Sequence, residues 1–348
     1  MSHDITINGK QFSAHTQGIV ELPIPNFYTS QTPLGLAVHV INGKHAGPRL
    51  FISAAIHGDE LHGVEIIRRI MRHEAMQQLV GTVVAVPIVN IFGIIQRSRY
   101  LPDHRDLNRS FPGSSHGSLA SRLAHIFMQE IVSKCTHGID IHTGAHHRVN
   151  LPQIRANIDD PETKRLACAF GAPVVIKSTL RDGSLRQAAR ELGIPTLLYE
   201  SGEALRFDEA GICLGVEGIL SVMRALNMLP TNNIPTKIIE PFIARSSHWE
   251  RAQQSGIMRN VAALGLKVES GTELGIIANP TDLFSNTDCP VRCDREGLII
   301  GRTNLPLVNE GDAIFHIAHL EEAESNQFNN ASSQTMEIPS IAEPPATG

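Results

Sequence analysis

Leu50-Phe-Ile-Ser-Ala-Ala-Ile-His-Gly-Asp-Glu60 is the stretch whose reading decides the fold. Leu50 to Ile56 are uncharged and have the length of a strand buried on both faces. Polar His57, Asp59 and Glu60 follow at once. Leu61, Val64, Ile67, Ile70 and Met71 then recur at helical spacing through Leu79, with Arg68, Arg69 and Arg72 elsewhere on the surface. A buried strand running straight into an amphipathic helix is the repeating unit of an α/β sheet.

The pattern continues in both directions. Leu36–Ile41 precedes it as a strand, and Thr82–Val89 follows as a β-branched one. Residues 90–118 are rich in Arg, Asp, Pro and Gly and lack a period, which predicts a long loop, and long loops in compact domains are usually functional. Helices are expected at Ser118–Cys135, Pro161–Phe170, Ser184–Leu192 and Gly211–Leu229, and strands at Gly138–Ile141, Gln153–Ile158, Pro173–Ile176 and Thr196–Tyr199. The α/β unit is therefore expected to span residues 1–230. Polar residues 231–236 lie between prolines and read as a linker. Residues 237–320, with short strands broken by glycines, read as a small all-β domain. Residues 321–348 are rich in Ser, Asn, Gln, Pro and Glu and read as a disordered acidic tail.

Charged residues are 19% and hydrophobic ones 42% of the 348 residues, which fits a folded body. The formal charge is -5, and the tail's five glutamates, with no Lys or Arg beside them, account for all of it. The body is neutral but uneven, with arginines gathered in the long loop. A small carboxylate explains that better than nucleic acid, so no nucleic-acid partner is expected. No apolar run is long enough to span a membrane. The N-terminus lacks the basic and apolar regions of a signal peptide, and five cysteines form no even framework, so a cytoplasmic setting is expected. Assembly into a homo-oligomer is left open.

Four motifs could carry chemistry. His57 and Glu60, three apart at a strand-to-helix turn, can face one point, and with a distant histidine they would make a His₂Glu zinc site with one open position. By itself this spacing recurs by chance in many chains. His142, at a strand end where α/β sheets bind ligands, is the preferred third ligand, with adjacent His146 and His147 as rivals; Asp140 could orient its imidazole. The histidine count of 17, ten of them between His57 and His147, thus narrows to two ligands, with most of the others read as surface. Arg97, Arg99, Arg105 and Arg109 fall within thirteen residues and suit carboxylate recognition, the plain alternative being a solvated loop. Glu200, at the end of another apolar strand, could serve as general base, with Glu203 as its competitor.

In this order the motifs resemble the succinylglutamate desuccinylase/aspartoacylase family, a relative of zinc carboxypeptidases. The matching blocks are His57-Gly-Asp-Glu60, Ser98-Arg-Tyr100 with Asp106-Leu-Asn-Arg109, Asp140-Ile-His142 and Glu200-Ser-Gly202. The resemblance implies a zinc-carboxypeptidase-like mixed sheet flanked by helices, followed by a small biotinyl/lipoyl-like β domain. It implies one Zn2+ per chain on His57, Glu60 and His142, and Glu200 as general base. Arg99 would polarise the scissile carbonyl. Asn108 and Arg109 would hold a substrate carboxylate, joined by Arg186, with Arg190 as its rival. The implied activity is hydrolysis of the amide bond in a small acidic N-acyl amino acid. A peptide-cleaving metallocarboxypeptidase and an inactive metal-binding module are the alternatives. One departure stands out. The family draws a substrate-contacting tyrosine from its C-terminal domain, and here no tyrosine follows Tyr199. The β domain also lacks a lysine on a Met-Lys-Met-like turn, which predicts a structural rim and not a carrier.

Overall fold

The computed structural model describes residues 3–24, 34–178, 181–231, 241–281 and 288–319. The expected tail and most of the expected linker lie outside the described residues. Among the described residues no helix is long and apolar enough to cross a membrane.

The chain opens with β1 (Ile5–Ile7), β2 (Lys10–Phe12), β3 (Thr16–Pro23), β4 (Gly35–Asn42) and β5 (His45–Ala54). Then come α1 (His62–Arg72), β6 (Val80–Val86), α2 (Ile91–Gln96), α3 (Leu119–Glu130), β7 (His137–Gly144), β8 (Arg148–Ala156), α4 (Pro161–Phe170), β9 (Val174–Lys177), α5 (Leu185–Glu191), β10 (Thr196–Glu203) and α6 (Glu209–Ala225). The centre of the large sheet is parallel, in the order β10-β7-β5-β6. Antiparallel strands flank it, with β4 and β3 beyond β6, and β8 beyond β10. The architecture is thus mixed α/β, with helices on both faces of one large mixed sheet.

Alternation along the central strands builds two cores. Leu50, Ile52 and Ala54 of β5, Ile139 and Ile141 of β7, and Leu197 and Tyr199 of β10 pack under α1, α4 and α6. Phe51 of β5 and Val84 and Val86 of β6 point the other way, toward α3, α5 and the N-terminal strands. Because side chains alternate, Ser53, Asp140, His142, Leu198 and Glu200 share this second face. All lie near the carboxyl ends of the parallel strands, where open α/β sheets form their clefts.

After α6 follow β11 (Phe242–Ala244), β12 (Ser246–Arg251), β13 (Gly256–Asn260), β14 (Lys267–Val268), β15 (Glu273–Ala278), β16 (Cys289–Arg292), β17 (Gly297–Thr303), β18 (Leu307–Val308) and β19 (Ala313–His319). Strands β16-β15-β13-β18 form a separate sheet. The others do not stand apart: β17 pairs antiparallel with β8, and β19 and β12 extend the large sheet from there.

Several local expectations are corrected. The helix expected through Leu79 ends at Arg72, because His73 takes extended geometry and its Nδ1 accepts from the Ala75 amide at 3.1 Å, opening a separate 3₁₀ turn. Residues 90–118 are not without structure: Asn90 caps α2 by accepting from the Gly93 amide, and Leu107–Arg109 form a 3₁₀ turn. His142 and Glu200 lie inside β7 and β10, which run on to Gly144 and Glu203. The N-terminal strands are absent from the expectation: β3 closes the far edge of the large sheet, and β1 and β2 pair with each other in a separate two-stranded sheet.

Candidate metal centre and active site

His57 and Glu60 reach one point because β5 breaks sharply. Ala55 adopts a left-handed φ of 50°, and the Glu60 amide bonds back to the His57 carbonyl at 3.1 Å. Gly58 is required in this turn: a Cβ there would collide with the backbone of Gly93 and Ile94. His142 approaches from β7. Nδ1 of His57 lies 2.7 Å from Glu60 Oε1, and Nδ1 of His142 lies 2.7 Å from Glu60 Oε2. The two Nδ1 atoms are 3.2 Å apart, and all three side chains are buried.

The donor set fits a divalent cation. Nε2 of His142 faces Asp140 Oδ2 at 2.7 Å, and Nε2 of His57 faces Asp106 Oδ1 at 3.2 Å. Asp140 and Asp106 can each take an Nε2–H proton, which would free both Nδ1 lone pairs for a cation that Glu60 also faces. Two lone pairs and a carboxylate then converge within 4.8 Å of one another. This is the N,N,O set zinc takes, with the outer nitrogens oriented by carboxylates. The three groups are also coupled electrostatically. Burial works to lower both histidines, yet the charge of Glu60 on His57, and of Asp140 and Glu60 on His142, raises them. Burial works to raise Glu60, and the two imidazoles hold it far below the carboxylate range.

A cavity of about 460 Å³ opens beside this cluster. Arg99 sits at its inner end. Its Nε and Nη2 grip Asp106 Oδ2 at 3.2 and 2.8 Å, so Nη1 points at His57 Nδ1 (3.2 Å) and Glu60 Oε1 (3.4 Å). Asn108 is fixed by accepting from the Leu185 amide at 2.9 Å, while the Arg109 guanidinium donates to the Asn108 carbonyl. Arg186 is buried, with Nη2 on Ser178 at 3.0 Å and Nη1 unpartnered. Burial, then the like charge of Arg155, lowers its guanidinium to about 10. Glu200 lines the cavity and accepts on Oε2 from Asn150 (2.8 Å) and Arg155 (3.1 Å).

The rivals fall elsewhere. Glu203 is tied to the His147 amide and to Asn304 and is not in the cavity wall. His146 and His147 stack on each other at the surface. Arg190 is exposed and lines a separate cavity of about 390 Å³, which Arg186 also borders.

Residues 46–226, more than half the chain, match the model of the succinylglutamate desuccinylase/aspartoacylase catalytic domain. The chain belongs to this family. It is similar to the N-alpha-acetyl-L-2,4-diaminobutyric acid deacetylase of Halomonas elongata, at 26% identity across 88% of this chain and 92% of the relative. Its fold is shared with a succinylglutamate desuccinylase/aspartoacylase from Rhodobacter sphaeroides (TM-score 0.76, 23% identity, 88% of this chain and 96% of the other). It is also shared with the product-bound ectoine utilization protein EutE (DoeB) of Ruegeria pomeroyi (TM-score 0.77, 21% identity, 88% and 95%).

In this desuccinylase/aspartoacylase-family chain the C-terminal strands supply part of the cavity wall through Ser247, Trp249 and His316. These three, with Arg148, Asn150, Arg155 and the clamping role of Asp106, escaped the sequence reading. Arg155 had a signal: it is the one charge in the Leu151–Ala156 part of β8, and a charge in a mostly apolar strand needs a partner. A second histidine, His62, proves structural. Its Nε2 accepts from the Asp208 amide, so Nδ1 donates to Ser201 (3.2 Å), which packs the Glu200-Ser-Gly202 block onto α1.

Proposed function

We propose that this protein is a zinc-dependent hydrolase of the amide bond in a small N-acyl amino acid. The observation carrying the reading is the meeting of His57, Glu60 and His142 with Glu200 in one arginine-rich cavity. The named deacylase relative supports the coarser part, an enzyme that hydrolyses amides.

His57, Glu60 and His142 would hold the metal. The chemistry zinc supplies when bound is Lewis acidity and an acidified water. Glu200 accepts a proton from the attacking water and delivers it to the departing amine. Its Oε2 is occupied by Asn150 and Arg155, which leaves Oε1 for that transfer. Arg99, locked by Asp106 with Nη1 toward the metal ligands, donates to the carbonyl oxygen as negative charge builds there. Asn108 and Arg109 hold the substrate carboxylate, with Arg186 behind them.

The test is a screen of the zinc-loaded protein against succinyl, acetyl and diamino-acid amides, with short peptides alongside and metal content measured by elemental analysis. Amine release from acyl amino acids, with one zinc per chain lost in His142→Ala, supports the reading. Preference for peptides would replace it with a carboxypeptidase, and a chain that takes up no zinc would remove it.

A further inference from the structure

Strands β12 and β19 carry a second group of histidines on the face turned away from the cavity. Trp249 stands opposite His316 across this antiparallel pair and stacks on it in the cavity wall, centroids 4.5 Å apart, with the Arg148 guanidinium over the indole at 5.0 Å. Side chains alternate along a strand, so His248 and Glu250 of β12 point to the other side. His319 does too, being two residues from Ile317, which lies opposite His248. There Nδ1 of His248 lies 2.6 Å from Nε2 of His319. Nε2 of His248 lies 2.7 Å from Glu250 Oε1, and Nδ1 of His319 lies 2.7 Å from the Glu296 carbonyl oxygen. Glu250 Oε1 also accepts from the Asp294 amide at 2.7 Å. His319 fits against β17 because Gly297 has no side chain: a Cβ there would come within 3.1 Å of its Nδ1.

The hydrogens in this row do not add up with neutral rings. Three successive contacts, Glu250 to His248, His248 to His319 and His319 to the carbonyl, need one hydrogen each. A neutral imidazole brings one N–H, and an ionised carboxylate and a carbonyl bring none. Two neutral rings therefore leave one contact as two lone pairs face to face, and a third proton fills it. The ring planes are 12° apart and the centroids 4.7 Å apart, a distance that the 2.6 Å gap and the two ring radii account for. The rings thus meet edge to edge in nearly one plane, the geometry of a linear N–H···N bond. A zinc ion between two such facing nitrogens would sit about 2.0–2.1 Å from each and need them about 4 Å apart. The gap fits a proton and not a metal.

The surroundings place that proton. Burial keeps His319 below the ordinary histidine range against the pull of the Glu296 carbonyl, and Arg295 adds to the lowering, so the charge belongs on His248 beside Glu250. Asp294 and Cys293 complete the segment ahead of β17, and burial pushes the Cys293 thiol up to about 11, so it stays neutral. On the other face of β19, burial and then Arg155 hold His316 down to about 3, so it is neutral as well. His248 is partly exposed, which gives the proton a way out.

We propose that His248 and His319 share one proton in an N–H···N bond, and that this protonated pair is a latch fastening β12 to β19 behind the cavity wall, opened as rising pH removes the proton. Opening leaves two lone pairs at a closed contact, so the rings part, and the strands carrying Trp249 and His316 move with them. The latch is independent of the hydrolase reading above.

The full-length protein is labelled with ¹⁵N in its histidines. At about pH 6 the pair should show three protonated ring nitrogens and one bare one, Nε2 of His319. As the pH rises, one of the three protons should be lost in a single step. Trp249, the sole tryptophan of the chain, should change its emission in that same step, which His316 cannot cause because it titrates far lower. His248→Gln should abolish the step. Glu250→Gln should move it to lower pH, because the imidazolium loses its counter-charge. Two bare nitrogens at about pH 6, an emission that ignores the step, a step that survives His248→Gln or one that Glu250→Gln leaves in place would each overturn the proposal. A second zinc per chain that disappears in His248→Gln would overturn it in favour of a metal site. The nitrogen count is taken on the unaltered chain, so it decides the matter even where a variant fails to fold.

Discussion

Asp140 Oδ2 lies 2.7 Å from Nε2 of His142, and Asp140 Oδ1 accepts from Ser53 at 2.8 Å, so the carboxylate is fixed before it orients the imidazole. Two residues apart on one face of β7, the acid and the histidine are set side by side, and Ser53 of β5 holds the acid in place. Partners of this kind are worth about 10–100-fold in metal affinity. Asp140→Asn should therefore weaken zinc binding by about that factor. A competition titration against a chelator measures it, and unchanged affinity would mean that Asp140 does not hold the ring.

Glu200 is the cross-strand neighbour of His142, and its hydrogen bonds go instead to Asn150 and Arg155. Glu200→Ala should lower kcat by about 10²–10⁴, the usual worth of a general base, while zinc content stays at one per chain. Near-normal turnover in this variant would transfer the base to another group. Loss of the metal would show instead that Glu200 supports the ligand cluster.

The legible parts of this molecule are those whose logic is local. Leu50–Ala54 reads as buried on both faces because both faces are buried, under α1 and under α3. His57 and Glu60 are legible because one turn joins them, and His142 because it follows Asp140 on a strand. Arg148, Trp249 and His316 were not legible, since they meet only through the pairing of β17 with β8 and of β12 with β19. No spacing encodes a contact made by strands so far apart in sequence. The same holds for β3, where Gly18 and the exposed Ile19 hide a strand held by its pairing with β4 and by burial of Val20 and Leu22.

Gly202 has a φ of +67°, and a Cβ there would strike the His62 ring. The ring cannot retreat, since Ser201 and the Asp208 amide hold both nitrogens. Gly202→Ala should destabilise the fold by about 1–3 kcal/mol, the scale of left-handed backbone strain, and displace Glu200 two residues away. Thermal unfolding measures the first effect and kcat at a temperature where the variant is folded measures the second. A variant as stable and as active as its parent would show that the block has room to relax.

Arg69 of α1 ties its own helix to α6: Nε bonds Glu65 Oε1 at 2.8 Å, and its other nitrogens reach the Glu209 carboxylate. Hydrogen bonds from Arg68, then from Arg69, hold Glu65 down to about 2 against the opposing effect of burial. An unfolded glutamate titrates near 4.3. The folded state therefore releases this proton more readily, and the stabilisation is complete above about 4.3 and is lost as the pH falls toward 2. Glu65→Gln should unfold at a lower temperature than its parent at pH 7, and the gap should shrink between pH 4.5 and pH 3. The scans are run on both proteins in the same buffers, so acid effects elsewhere cancel. A gap that stays constant over that range would mean that packing of α1 on α6, and not the Glu65 charge, sets the difference.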